Sequence, residues 1–233
     1  MAKFPLYALS GYNKALGIFY KLFVAGKAMG IIMSKKYVIA LGREYASGGR
    51  EIGKMLASRL GINYYDNNEL RKKAKELGVE EGVFEMFDEQ PTRSFLFSVA
   101  MDPYSLDNAL NSVKVIEAQR KIIISAAEKG PCVIVGRRAD KILEEVEDVD
   151  VVSVFIGADM EDRIKRFMES GEAIVGKNIQ RFIERKDRER ASYYNYLGDG
   201  KWGKASNYTM CFYTSKISQE KICDIICNYV NSL

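Results

Sequence analysis

The sequence predicts an α/β fold built on a parallel sheet, and three observations lead there. Short apolar runs recur along the chain: YVIAL (37–41), INYYD (62–66), CVIVG (132–136), DVVSVFIG (150–157) and YTMCFYT (208–214). Segments of helical periodicity separate them, a pattern that implies parallel strands joined by right-handed crossovers. A glycine loop, Asp66 and the triplet Gly136-Arg137-Arg138 each follow a strand directly. Parallel sheets of this kind bind ligands at the carboxyl ends of their strands, so these three features are expected on one edge.

In chain order, the first 32 residues carry Lys3, Lys14, Lys21 and Lys27, with no acid before Glu44. Lysines interrupt every apolar run, so none reaches the roughly 20 residues of a membrane span. Two readings stand for this extension: a surface-binding helix, or an upstream segment of no function. From Met33, MSKKYVIALG reads as the start of a domain spanning 33–233. After the first strand and the glycine loop, Ile52, Met55, Leu56 and Leu60 fall at helical spacing, and Gly61 ends that helix. Residues 67–130 read as a long, largely helical insertion containing the turn-rich DEQPTRSF and MDPYS. Residues 159–205 are rich in arginine and end in GDGKWGKAS. In the last helix Ser218 is the cap, and Ile222, Ile225, Ile226 and Val230 are placed on one face.

The chain has 233 residues, 47% of them hydrophobic, enough for one sizeable core and a small appended subdomain. A net charge of +4 is too mild to argue for a nucleic acid polymer as partner. The absence of histidine removes His triads, His general bases and His metal ligands. Cys132, Cys211, Cys223 and Cys227 form no CxxC pair. They read as reduced, mostly buried thiols of a cytoplasmic protein.

The loop GREYASGGREIG (42–53) resembles a Walker loop, GxxxxGK[ST], with its parts rearranged. Gly42 and the pair Gly48–Gly49 are present, one residue further apart, but no lysine and no Ser or Thr follow; Arg50 and Glu51 come next. Glycines let backbone amides converge into an anion nest, here over Ala46, Ser47, Gly48, Gly49, Arg50 and Glu51. The helix beginning near Arg50 adds its positive end, and a guanidinium supplies charge in forked form. Arg137 and Arg138, past the third strand, read either as a phosphate clamp or as surface charges paired with Glu144 or Glu145. Arg181, Arg185 and Arg188 recur at helical spacing, with Arg190 nearby and Glu184, Asp187 and Glu189 interleaved. By itself such a run reads as a solvated, self-paired helix. Beside a nest and a strand-end arginine pair, it completes what phosphoryl transfer needs, namely positioning and positive charge.

Three stretches, ASGGREIGKMLASRLGINYYD, CVIVGRRADKIL and IERKDRERASYYNYLGDGKWGKASNYTMCFYTSKIS, resemble the cytidylate kinase-like family of nucleoside monophosphate kinases, in matching order over residues 35–233. The resemblance implies a three-layer P-loop kinase fold with a five-stranded parallel sheet. It implies a helical monophosphate-binding insert at about 67–115 and an arginine-rich lid at about 160–205. ATP and Mg²⁺ would be used, with a small phosphorylated acceptor such as CMP or dCMP. Arg50, Arg185 and Arg188 would act on the transferring group. Arg137, Arg138 and Asp66 would hold the acceptor. Glu51 would ligate Mg²⁺ in place of the missing hydroxyl. The chain departs from the family's kinases at Gly49, in the lysine slot, at Glu51, in the Ser/Thr slot, and at Ser192, in the slot of a last lid arginine. Two other functions stay open: a nucleotide-binding regulator without kinase activity, and a kinase for another small acceptor.

Overall fold

A computed structural model describes residues 36–79, 106–172, 178–196 and 200–233. The extension 1–32 and the stretches DEQPTRSF and MDPYS lie outside the described residues. The elements below all belong to the unit Lys36–Leu233. They run β1 (Tyr37–Arg43), α1 (Gly49–Leu60), β2 (Asn63–Tyr65), α2 (Asn67–Glu76), α3 (Leu106–Glu128), β3 (Cys132–Val135), α4 (Ala139–Leu143), β4 (Asp150–Gly157), α5 (Met160–Glu169), α6 (Ile179–Tyr196), β5 (Met210–Tyr213) and α7 (Gln219–Val230).

The sheet has five strands in the order β2-β3-β1-β4-β5, all parallel. β1 sits at its centre, with Val38 opposite Cys132 on one side and Val151 on the other. Continuous apolar runs mark strands covered on both faces, and Val38, Ile39, Ala40 and Leu41 are all buried. The two-residue period of a strand sorts these side chains into two cores. Val38, Ala40, Cys132 and Ile134 pack with Leu70 and Ala74 of α2, Ile122, Ile123, Ala126 and Ala127 of α3, and Ala139 and Leu143 of α4. Ile39, Leu41, Val133 and Val135 pack on the other side with Ile52 and Leu56 of α1 and Ile222, Cys223 and Ile226 of α7. The result is three layers, helices over both faces of the sheet.

Three expectations are corrected. Residues 67–130 are not wholly an insertion, because α2 and the second half of α3 supply one face of the core. β1 runs on to Arg43, because its ladder with β4 continues to the pair Arg43–Ile156. Ile225 is 37% exposed, while Ile222, Cys223, Ile226 and Val230 form the buried stripe. At ~100° per residue it points away from that stripe. The predicted caps are in place: Gly61 is left-handed at the end of α1, and the Ser218 hydroxyl accepts the Lys221 amide. Cys132 and Cys223 are buried, Cys227 is half-buried and Cys211 is exposed, all as free thiols. No helix among the described residues is long and apolar enough to cross a membrane.

Candidate active site

β1 delivers the chain into the glycine loop at the sheet's carboxyl edge. Ala46 and Gly48 adopt positive φ, 58° and 86°. Between them Ser47 is buried; its hydroxyl donates to the Glu44 carbonyl at 2.9 Å, and its own carbonyl accepts the Thr214 hydroxyl at 2.8 Å. Gly48 then caps α1, whose first amides have no acceptor within the helix. Gly48 is demanded by its left-handed φ, since the Gln219 side-chain end can move, and Gly49 is demanded by packing. A Cβ on Gly48 would lie 2.4 Å from Gln219 Nε2, and one on Gly49 would lie 2.7 Å from Arg43 Cβ. Left-handed residues in a turn before a helix are the kind of backbone from which anion-binding nests are made.

Around it lies a cleft lined by the whole loop from Arg43 to Glu51, with Arg166, Phe167, Ser170, Glu172 and Arg190 across from it. Its carboxylates are mostly engaged. Glu44 accepts the Ala158 amide at 2.9 Å, and Glu172 accepts the Tyr45 hydroxyl. Arg50 and Glu51 are exposed on the first turn of α1. Among the described residues no cluster of three or more metal-ligating side chains occurs. A Mg²⁺ ion needs no such cluster, since it keeps several waters and takes one or two carboxylates plus phosphate oxygens. Glu51, at the cleft wall, fits that role.

A second cleft opens at the ends of β1 and β3. Gly136, Arg137 and Arg138 all take positive φ, 80°, 61° and 52°. A left-handed non-glycine residue costs roughly 1–2 kcal/mol, and such strain concentrates at functional sites. Arg137 is 4% exposed; it donates to Asn67 Oδ1, and its carbonyl accepts the Gln119 amide. The surface-pair reading of this arginine is thereby replaced, since Glu144 pairs with Lys141 and Glu145 with Arg120. Arg138 lies 5.5 Å over the Tyr194 ring. Asp140 is buried and accepts the Tyr194 hydroxyl at 2.5 Å. Burial raises the Asp140 pKa above the ordinary carboxylate range, and pushes Tyr208 up to about 12. Tyr193, Trp202 and Tyr208 complete the wall, so the cleft is aromatic and cationic at once. Asp66 lines neither cleft: its carboxylate caps α2, accepting the amides of Asn68 at 2.9 Å and Glu69 at 3.3 Å.

α6 connects the clefts, in a phase that the spacing of its arginines did not reveal. Arg185 and Arg188 are 58% and 68% exposed, paired with Glu189 and Glu184 on the same helix, and neither lines a cleft. Ile183, Asp187, Arg190 and Tyr194 occupy the opposite, inward face. Asp187 accepts the Tyr45 amide at 2.7 Å, and Arg190 donates to the Arg43 carbonyl at 3.1 Å. Tyr193 donates to Gln119, which holds the Arg137 turn. The missed residues are therefore Arg43, Arg166, Gln119, Tyr193 and Tyr194, and Arg190, noted only as lying near the arginine series, is the one of that series that lines both clefts. The signal that would have found the α6 set is the stripe Ile183–Tyr194: two apolar anchors eleven residues apart put Asp187 and Arg190 between them on one face.

A family model for the cytidylate kinase-like family matches residues 38–216. No curated protein matches the chain. Among solved structures, an uncharacterized protein from Eubacterium ventriosum ATCC 27560 superposes with a TM-score of 0.60 at 26% identity, covering 84% of this chain and 99% of that one. A shikimate kinase from Bacteroides thetaiotaomicron superposes with a TM-score of 0.50 at 16% identity, covering 84% and 98%, a likeness of fold. With the parallel sheet, the glycine loop at the end of its central strand and a family match over most of its length, this chain is a P-loop kinase-type α/β protein that belongs to the cytidylate kinase-like family.

Proposed function

We propose that the protein transfers the γ-phosphoryl group of ATP to a small phosphorylated acceptor of the nucleoside monophosphate class, with CMP and dCMP the first candidates. One observation carries the reading: Arg43 and Arg190 line both the glycine-loop cleft and the strand-end cleft. A group passing between donor and acceptor would cross at these two guanidinium groups.

The chain's own residues then divide the work. The amides of Ala46 to Glu51 and the positive end of α1 bind the donor phosphates. Arg50 at the loop mouth and Arg166 across the cleft neutralise them. Arg190 stabilises charge on the equatorial oxygens in transit, the main task in this reaction. Arg137, in its left-handed turn, orients the acceptor phosphate, with Arg138 beside it. The aromatic walls Tyr194, Trp202 and Tyr208 flank the rest of the acceptor. An acceptor phosphate is already ionised, so no general base is required and the lack of histidine is no handicap. Glu51 would hold Mg²⁺, which would supply charge neutralisation to the donor phosphates.

A coupled assay with ATP, Mg²⁺ and a panel of nucleoside monophosphates tests this, with hydroxylated carboxylic acids as the contrasting acceptors. Turnover is expected with one or more monophosphates. Turnover with hydroxyl acceptors alone would assign another acceptor class. ATP binding in calorimetry without turnover would leave a nucleotide sensor, the alternative that Gly49 in the lysine slot favours.

A further inference from the structure

The inward face of α6 carries an ion pair that the chemistry above does not use. Arg163, on α5, is 4% exposed. Its Nε donates to the Tyr45 carbonyl at 2.8 Å, one terminal nitrogen donates to Asp187 Oδ2, and the other lies 3.5 Å from Glu44 Oε2. Asp187 Oδ1 in turn accepts the Tyr45 amide at 2.7 Å. The peptide groups flanking Tyr45 are thus gripped from both sides by one ion pair, a buried arginine with a partly buried carboxylate. Three residues along α6, Arg190 donates to the Arg43 carbonyl at 3.1 Å and lies 5.2 Å over the Tyr45 ring. The gripped segment, Arg43 to Tyr45, belongs to the stretch where this loop exceeds Walker spacing.

We propose that Arg163 and Asp187 are positioning residues that hold the phosphate loop and Arg190 in one register. A Walker loop carries its principal cation on the loop's own helix. Here a principal cation comes from α6, so its distance to bound phosphate depends on how α6 is docked to the loop. A largely buried ion pair sets that docking, with short, directional bonds to backbone at each end. The sensitivity is steep, because a misplacement of ~1 Å at a transferring group can cost ~10²-fold in rate.

The kinetic arm of the test rests on the phosphotransfer reading; the exchange arm does not. Removing Asp187 alone strands a buried guanidinium and endangers folding, so the main variant replaces both charges, Arg163→Met with Asp187→Leu. This variant is expected to stay folded while kcat falls about 10- to 100-fold. Asp187→Asn, which still offers Tyr45 an acceptor, is expected to recover part of that loss. The Arg163→Met and Asp187→Leu pair added to Arg190→Ala is expected to lower kcat by less than about threefold further, because coupled residues are non-additive. Wild-type kcat in the folded double variant, or fully multiplicative losses, would overturn the proposal. If the protein turns over no acceptor, amide exchange still decides. The Tyr45 amide should exchange about 10-fold faster in the double variant while that of Ile39 is unchanged. Equal protection of Tyr45 in both proteins would overturn the clamp whatever the protein binds.

Discussion

At Gly48 the backbone turns through a positive φ, 86°, and a Cβ there would sit 2.4 Å from Gln219 Nε2. The left-handed conformation demands glycine, while the end of the flexible Gln219 side chain can move aside. Gly48→Ala is expected to destabilise the fold by about 1–2 kcal/mol and to weaken ATP binding, read by thermal melts and calorimetry. Asp140 offers a different single-residue test. Burial raises its folded pKa, and the Tyr194 hydroxyl and neighbouring positive charge only partly offset this. A folded pKa above the unfolded value, about 3.9, means the folded state holds the proton more tightly. The stability from that proton is present below the unfolded pKa and is lost as pH rises through the folded one. Asp140→Asn never ionises, so its melting temperature should gain on the wild type across that window and hold the gain above it. A difference that does not change with pH would sink this account. Arg137 shows what sequence could not say about a residue. Its place after a strand was legible, and both a clamp and a surface pair were open; 4% exposure and a left-handed φ of 61° decide for a buried, shaped position.

α6 is the element whose reading changed most. Its arginines were visible as a helical series, but a charge series has no intrinsic inside. The inside is set by Ile183, fully buried, and Tyr194, 5% exposed, and these turn Arg190 inward and Arg185 and Arg188 outward. The expected kinetic pattern follows. Arg190→Ala should lower kcat by about 10²- to 10³-fold, the effect of losing one donor to developing charge. Arg185→Ala and Arg188→Ala should each stay within about threefold, since exposed i,i+4 pairs are worth little. If the order is reversed, α6 reaches the transferring group in another rotation. α3 teaches the same lesson for packing. Its second half supplies Ile122, Ile123, Ala126 and Ala127 to the core, yet in sequence it continues an apparent insertion without a break.

For the whole molecule, the crossovers bring distant loops to one edge, and both clefts open there at the end of β1. Stability of this platform rests on the central strand. Ile39→Ala, at 0% exposure, should lower stability by about 2–5 kcal/mol, measured by denaturant unfolding, while the folded fraction keeps its KM for ATP. ATP at 100 times its Kd should raise unfolding free energy by about 2.7 kcal/mol, and a flat melting temperature across that titration would count against the loop as a nucleotide site. The alternation of strands and helices, the caps at Gly61 and Ser218 and the glycine loop were legible in the sequence alone, because each depends on local periodicity or on a backbone angle that few residues adopt. Family membership was legible for the same reason, through short motifs in a set order. The tertiary structure alone decided that Arg190 rather than Arg185 or Arg188 meets the loop, and that Arg163 with Asp187 grips Tyr45. Each of these depends on which face of one element meets another across more than twenty residues of chain. Charged side chains carry no hydrophobic mark of that choice; the buried residues beside them make it.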